Sequence, residues 1–307
     1  MKEQVSAYFD RAIQSRIQWL QDDFLTKHGV KFGLVRIDEI DAETGGNKWF
    51  KLKYNIAAAD AQGLNTIVTF GGPFSNHIAA TAAACRILGL KSIGVIRSEV
   101  NYDNPTLQKA KADGMQLHFV SKAAYANKYS EAFISDLKGQ YGNFYWIPEG
   151  GDNEAGLKGC EEIWSHCKDL PVFDKNQALY FASAIGRGNT FAGLVNSCPF
   201  PNAIGLGFTG FKQGEEMVPI LAQKIKSNIQ WQVITSYHFG GFGRVNEPLI
   251  DFFKAFEKEH QVVLDYTYTA KMCYGIYDLI HNNKIEYGST VVAFHTGGIQ
   301  GNKGIEK

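Results

Sequence analysis

The sequence predicts an α/β fold built on open, twisted, mostly parallel sheets with flanking helices, and three observations carry that prediction. From residue 65 onward, short β-branched or apolar runs alternate with segments of helical period. Eight such runs occur, which exceeds one simple repeat. The same rhythm of strand, glycine and helix recurs on both sides of the stretch Pro148–Gly159 (PEGGDNEAGLKG), rich in glycine and acid and placed midway, so that two α/β units are expected with a crossing there.

Taken in order, the expected strands are Asn65–Phe70, Lys91–Arg97, Met115–Ser121, Phe144–Pro148, Ala178–Ser183, Ala203–Phe208, Trp231–Tyr237 and Thr290–His295, the first four forming one small sheet. Each is short, bounded by turn residues and rich in Val, Ile, Phe or Tyr, as a strand buried between helices requires. Between them the apolar residues recur at helical spacing in Asn76–Leu88, Pro105–Asp113, Asn127–Gly139, Leu157–Cys167, Thr190–Ser197, Gly214–Ser227, Glu247–His260 and Lys271–Asn282. A further helical segment opens at Lys48.

The 307 residues suffice for one large domain or two modest ones, and a hydrophobic content of 45% with 20% charged residues is that of a globular chain. Thirty-one basic and 31 acidic side chains cancel and are scattered, so the electrostatic footprint of a nucleic-acid binder is missing and a small molecule is the expected partner. The segment from Met1 to Arg16 lacks the apolar core of a secretory signal, and no stretch approaches the roughly 18 apolar residues of a membrane helix, so no membrane partner and a cytoplasmic location are expected. Five cysteines, odd in number and without a C-x-x-C pair, indicate neither a disulfide framework nor a zinc site, and His118, His166, His260 and His281 lack metal-like spacing; no metal is expected.

Several short segments can carry chemistry. In Gly45-Gly46-Asn47-Lys48-Trp49-Phe50-Lys51-Leu52, glycines permit a sharp turn, and a lysine at a helix start in a partly desolvated pocket has its ammonium disfavoured, as a lysine that condenses with a carbonyl requires; a solvated lysine after a turn fits the same residues. In Phe70-Gly71-Gly72-Pro73-Phe74-Ser75-Asn76-His77 a strand runs into a helix, which suits a carboxylate or a cofactor oxygen but equally a plain helix cap. Ser183-Ala184-Ile185-Gly186-Arg187-Gly188-Asn189-Thr190 can offer successive N–H groups to a phosphate, although it is neither a Walker loop nor a full dinucleotide fingerprint. Asp265-Tyr266-Thr267-Tyr268-Thr269-Ala270-Lys271 and His295-Thr296-Gly297-Gly298 follow near the carboxyl end.

In this order the five segments resemble the 1-aminocyclopropane-1-carboxylate deaminase and D-cysteine desulfhydrase family, whose members carry G-G-N-K-x-R-K-L, S-N-[HQ], a T-G-[GS]-T loop, D-P-x-Y-x-G-K and H-[TL]-G-G. The resemblance runs from about Arg36 to Gly301. It implies the tryptophan-synthase-β-like fold of type II pyridoxal-phosphate enzymes, with a large cofactor-binding domain (1–54 plus 152–307), a small α/β domain (55–151) and the active site in the cleft between them. It also implies pyridoxal 5'-phosphate as cofactor, a small amino acid as substrate and a homodimer. Carried over by position, Lys48 holds the cofactor and moves protons at the substrate carbon, and Lys51 is the helix-side lysine. Ser75 lies beside the substrate, Asn76 bonds the cofactor's ring oxygen, and His77 faces the substrate. Gly186, Arg187, Gly188, Asn189 and Thr190 form the phosphate cup, Tyr268 stands over the site, and Thr296 lies near the pyridine nitrogen.

This sequence departs from the family pattern at several points. Phe50 replaces the motif arginine, Arg187 and Asn189 stand where small residues are usual, and Phe242 occupies the place of an active-site tyrosine. Thr269 follows Tyr268 where deaminases tend to have glutamate. The segment upstream of Lys48 reads as short, as if the amino-terminal strand and part of the lid were trimmed. A hydroxyl at the pyridine nitrogen and a missing tyrosine hydroxyl suit β-elimination better than opening of a cyclopropane ring, so D-cysteine desulfhydrase-like chemistry is expected ahead of 1-aminocyclopropane-1-carboxylate deamination. A cofactor carrier or sensor with little turnover is the reading from another class.

Overall fold

A computed structural model describes residues 2–11, 13–100, 103–168, 170 and 177–304. Among them the strands are β1 (Ile17–Leu20), β2 (Lys31–Val35), β3 (Thr66–Gly71), β4 (Lys91–Arg97), β5 (Gln116–Val120), β6 (Tyr145–Ile147), β7 (Leu179–Ile185), β8 (Ile204–Thr209), β9 (Gln230–Ile234) and β10 (Thr290–Phe294). The α-helices are α1 (Lys2–Phe9), α2 (Asp23–His28), α3 (Gly46–Ala61), α4 (Asn76–Leu88), α5 (Pro105–Ala112), α6 (Lys122–Ala126), α7 (Glu131–Tyr141), α8 (Glu154–Cys160), α9 (Asn189–Asn196), α10 (Met217–Lys224), α11 (Glu247–His260) and α12 (Thr269–His281). The chain divides into two compact units, one of Met1–Ala12, Lys48–Gly159 and Lys303–Lys307, the other of Ile13–Asn47 and Cys160–Asn302.

The first unit holds a four-stranded, wholly parallel sheet in the order β5-β4-β3-β6, made from the first four strands that the sequence predicts. Its two interior strands, β3 and β4, are buried along nearly their whole length because both faces of the sheet are covered. On one side Val68, Phe70, Ile93 and Val95 pack with Tyr125, Leu137 and Phe144; on the other, Ile96 packs with Ile78, Ala82, Leu107, Ala110 and Met115. Four of the helices carry an N-cap residue whose side chain accepts from the first turn, namely Ser75, Asn104, Ser121 and Ser130. Ser121 and Ser130 explain one difference from the sequence expectation: the helix expected over Asn127–Gly139 starts later, as α7 behind its cap Ser130, and a separate short helix, α6, precedes it behind Ser121.

The second unit holds a six-stranded sheet in the order β1-β2-β10-β7-β8-β9, parallel except for the edge strand β1. Around it Trp164 packs edge-on against Phe181 and Phe294 and donates its indole N–H to Leu194 O at 2.9 Å. The expectation of a trimmed amino-terminal strand is corrected: β1 and β2 both lie upstream of Lys48, and β2 is an interior strand in register with β10 (Thr290↔Lys31 to Phe294↔Val35). Gly33 at the centre of β2 hid it, since glycine weakens a strand signal. A Cβ at Gly33 would come within 2.8 Å of the Ile17 side chain and 3.0 Å of Trp19, so the β1 side chains occupy the space that a larger residue would need. No helix among the described residues is long and apolar enough to cross a membrane.

Candidate active site

In the first unit the candidate residues sit at the start of α3 and in the turn between β3 and α4. Lys48 is partly exposed while its neighbours Trp49 and Phe50 are fully buried, so the helix turns one lysine outward from an aromatic base. Phe50, which stands in place of the motif arginine, packs edge-on against Trp49, itself in contact with Phe9. Lys51 is buried, and its ammonium donates to Gly150 O at 3.1 Å. One turn on, the Asn55 amide exchanges hydrogen bonds with Asn153, so the glycine- and acid-rich stretch after β6 is stitched to α3.

Ser75 is the N-cap of α4, its Oγ accepting from the Ile78 N–H at 3.4 Å, and Asn76 opens the helix. His77, one residue further in, is 2% exposed, yet neither ring nitrogen has a hydrogen-bond partner. Burial, with Lys48 and Lys51 nearby adding repulsion, holds its pKa well below the usual histidine range. The ring is therefore neutral at working pH, one N–H and one lone pair both unsatisfied. A buried imidazole in that condition costs free energy that a polar ligand would recover.

In the second unit, Gly186–Thr190 links β7 to α9. Gly188, at φ +94°, takes the N-cap position and no side chain caps this helix. The dipole and amide groups of the first turn thus point toward a loop that only glycine can form. Asn47 organises what surrounds it. Its side-chain amide donates to Thr190 Oγ at 2.7 Å, and its backbone N–H donates to Thr296 O at 3.3 Å. One residue outside the expected site residues therefore joins Thr190, the second residue of α9, to Thr296 after β10, and Lys48 follows it in the chain. His295, fully buried, accepts from Gly297 N–H through Nδ1 and donates through Nε2 to Val263 O at 2.8 Å, which fixes the turn that carries Thr296.

Tyr268 precedes α12. A Cβ on Gly186 would lie 3.2 Å from its hydroxyl, so the absence of a side chain there brings the tyrosine against the loop. Phe242, half exposed, stacks on Phe211 at 5.5 Å and meets Tyr268 edge-on at 5.7 Å. Thr269 is not an acid facing the loop: it is buried, with its hydroxyl on Asp265, which also accepts from the Tyr268 and Thr269 N–H groups and so caps the helix. Lys271, 2% exposed, donates to His238 O and Gly241 O, both at 2.9 Å, and thereby holds the loop on which Phe242 sits.

Burial pulls the Lys271 pKa down to about 8, against the opposing pull of Asp265. Because the folded value lies below the unfolded one, the charged form is disfavoured by folding below pH 8, and stability from this group rises as pH climbs from about 8 toward the unfolded value. Urea midpoints measured from pH 7 to 10 should rise in the wild type relative to Lys271→Met, in which this slope is lost.

The residues fit pyridoxal phosphate on structural grounds: a glycine-formed turn at an uncapped helix start with a hydroxyl for a phosphate, a partly exposed lysine on an aromatic base, and a buried imidazole with both nitrogens unsatisfied. Comparison with known proteins points the same way. A family model described as pyridoxal-phosphate dependent enzyme matches residues 24–297. A Pyrococcus abyssi protein with the provisional name 1-aminocyclopropane-1-carboxylate deaminase is 29% identical over 89% of this chain and 86% of its own length. The mitochondrial bifunctional D-cysteine desulfhydrase/1-aminocyclopropane-1-carboxylate deaminase of Arabidopsis thaliana is 27% identical over 89% of this chain and 74% of its own. The D-cysteine desulfhydrase of Klebsiella pneumoniae is 25% identical, covering 88% and 87%. In fold, the chain is similar to the crystal structure of an ACC deaminase homologue, with a TM-score of 0.78 at 24% identity over 98% of this chain and 97% of the other.

Proposed function

The chain belongs to the family of pyridoxal-phosphate-dependent enzymes, and from that premise we propose that it eliminates the β-substituent of a small amino acid in the manner of a D-cysteine desulfhydrase. That it is a lyase or deaminase of this kind rests on its relatives; the choice between their activities rests on the site. Pyridoxal phosphate, when bound, supplies the electron sink that makes the α-carbon of an attached amino acid acidic.

The chain's own residues do the rest. Lys48 would hold the cofactor, and its amine is the base for the proton on the substrate's α-carbon. The Gly186–Thr190 loop receives the phosphate on its amide groups and the Thr190 hydroxyl. The start of α4, with Ser75 and Asn76, favours the substrate carboxylate through the helix dipole. His77 stays neutral and offers an N–H without competing for the proton. Thr296 would offer the ring nitrogen a hydroxyl, not an acid. The carbon–sulfur bond breaks with its electron pair leaving on sulfur, and the freed enamine takes up water to give pyruvate and ammonia.

The observation that carries the choice is Phe242 set against Tyr268. Opening a cyclopropane ring requires a proton at a ring carbon, and this arrangement has one aromatic hydroxyl where two would serve. With D-cysteine the holoenzyme should release pyruvate; with 1-aminocyclopropane-1-carboxylate it should release little 2-oxobutyrate, and Phe242→Tyr should raise that release several-fold. Release of 2-oxobutyrate without pyruvate would reverse the choice, and cofactor binding with neither product would favour a carrier. A homodimer is carried over from the resemblance and a cytoplasmic location from the amino-terminal composition and the lack of a membrane-length apolar stretch; sedimentation equilibrium and cell fractionation test them.

A further inference from the structure

Behind the phosphate loop lies a cation that none of the family motifs supplies. Lys224 is the last residue of α10. Its ammonium donates to Asn189 Oδ1 at 2.7 Å and to Arg187 O at 3.1 Å, both in the loop that opens α9. Its own carbonyl accepts from the Asn196 side chain at 3.1 Å, while Asn196 Oδ1 accepts from Lys226 N–H at 2.7 Å. Asn189 and Asn196 are seven residues apart on α9, two turns and about 10.5 Å along one face. They therefore grip Lys224 at both ends, backbone at the helix carboxyl end and ammonium at the amino end. Gly188, at φ +94°, lets α10 pack close: a Cβ there would lie 3.1 Å from the Leu221 side chain.

This placement opposes the local field. A helix amino terminus carries a partial positive charge, and a cation there is disfavoured. The carbonyl and amide oxygens that accept from Lys224 offset part of that. An anion at the loop would turn the remainder from repulsion into attraction, with the dipole and the ammonium acting on it together. We propose that Lys224 is a positioning residue for the cofactor phosphate: it fixes the Arg187–Asn189 turn and, in addition to the charge of Arg187, adds a full positive charge to a cup otherwise made of amide and hydroxyl groups. Asn189, a departure from the small residue of the resembling motif, thereby has a physical reason, since a small side chain would remove the shorter of the two hydrogen bonds that tie the amine to the loop. The proposal rests on the cofactor assignment above.

The test compares two probes on the apo chain, pyridoxal phosphate and pyridoxal, which share the ring and aldehyde and differ in the phosphate. Binding is read from the absorbance band at roughly 400–430 nm. Lys224→Met should weaken pyridoxal phosphate on the order of tenfold and leave pyridoxal within about twofold, with Lys224→Arg restoring most of the loss. The salt dependence of pyridoxal phosphate binding should also be shallower in Lys224→Met. Equal weakening of both probes, or no weakening of either, overturns the role of Lys224 and leaves the cofactor assignment standing. Absence of the band in the wild type overturns both.

Discussion

Lys48→Ala is expected to abolish the visible absorbance of the holoenzyme and to lower pyruvate release from D-cysteine by at least about a thousandfold, because in the proposed mechanism one side chain serves both as attachment and as base. The fold should survive. Lys48 is partly exposed at the first turn of α3, alanine is a strong helix former, and the buried residues that anchor that turn, Trp49 and Phe50, are untouched. Circular dichroism would show this. The informative control is Lys51→Ala. Lys51 is buried and bonded to Gly150 O, so its loss should loosen the stretch after β6 and cost stability while the absorbance remains. If the band instead survives Lys48→Ala and disappears with Lys51→Ala, the assignment of the cofactor lysine is wrong.

The sequence exposed the parts of this molecule that local chemistry dictates. All eight predicted strands form, because each is a short apolar run between turn residues, and Asn76–Leu88 and Glu247–His260 match α4 and α11 end to end, because Ser75 and Asn246 cap them. What stayed hidden depends on distant partners. Gly33 conceals β2, whose necessity shows only when Ile17 and Trp19 are seen against it. Thr269 reads from its neighbours only as a departure from the family glutamate, and the fold alone shows that Asp265 takes its hydroxyl into the core. Asn47 reads as part of a turn, and only the fold reveals that its two donors reach Thr190 and Thr296, far along the chain. Lys224 belongs to no motif at all; it sits at the end of an ordinary amphipathic helix, and its pairing with Asn189 is set by how α10 packs on α9. The identity of the site lay in motifs, and its geometry in the contacts that join them.

Gly46→Ala should be the most damaging single-methyl change near the site. Gly46 has φ +49°, a left-handed conformation that costs an ordinary residue about 1–2 kcal/mol, and a Cβ there would lie 2.0 Å from Thr296 O. That oxygen is backbone and accepts from Asn47 N–H, so it cannot move aside without breaking the link between the turn before Lys48 and the turn after β10. Strain, clash and the lost hydrogen bond together should cost about 3–5 kcal/mol. Gly45→Ala separates these contributions. Gly45 has φ +57°, nearly the same conformation, but its nearest obstacle is Asp41 O at 3.8 Å, so it should lose only the strain, about 1–2 kcal/mol, and keep its cofactor. Urea unfolding and titration with pyridoxal phosphate, run on both variants, should show Gly46→Ala far below Gly45→Ala in stability and deficient in cofactor binding as well. Equal losses in the two would mean that backbone conformation alone matters and that the contact with Thr296 does not position the site. A loss confined to cofactor binding would mean that the turn absorbs the methyl group by moving Asn47, and with it Thr190, away from the phosphate.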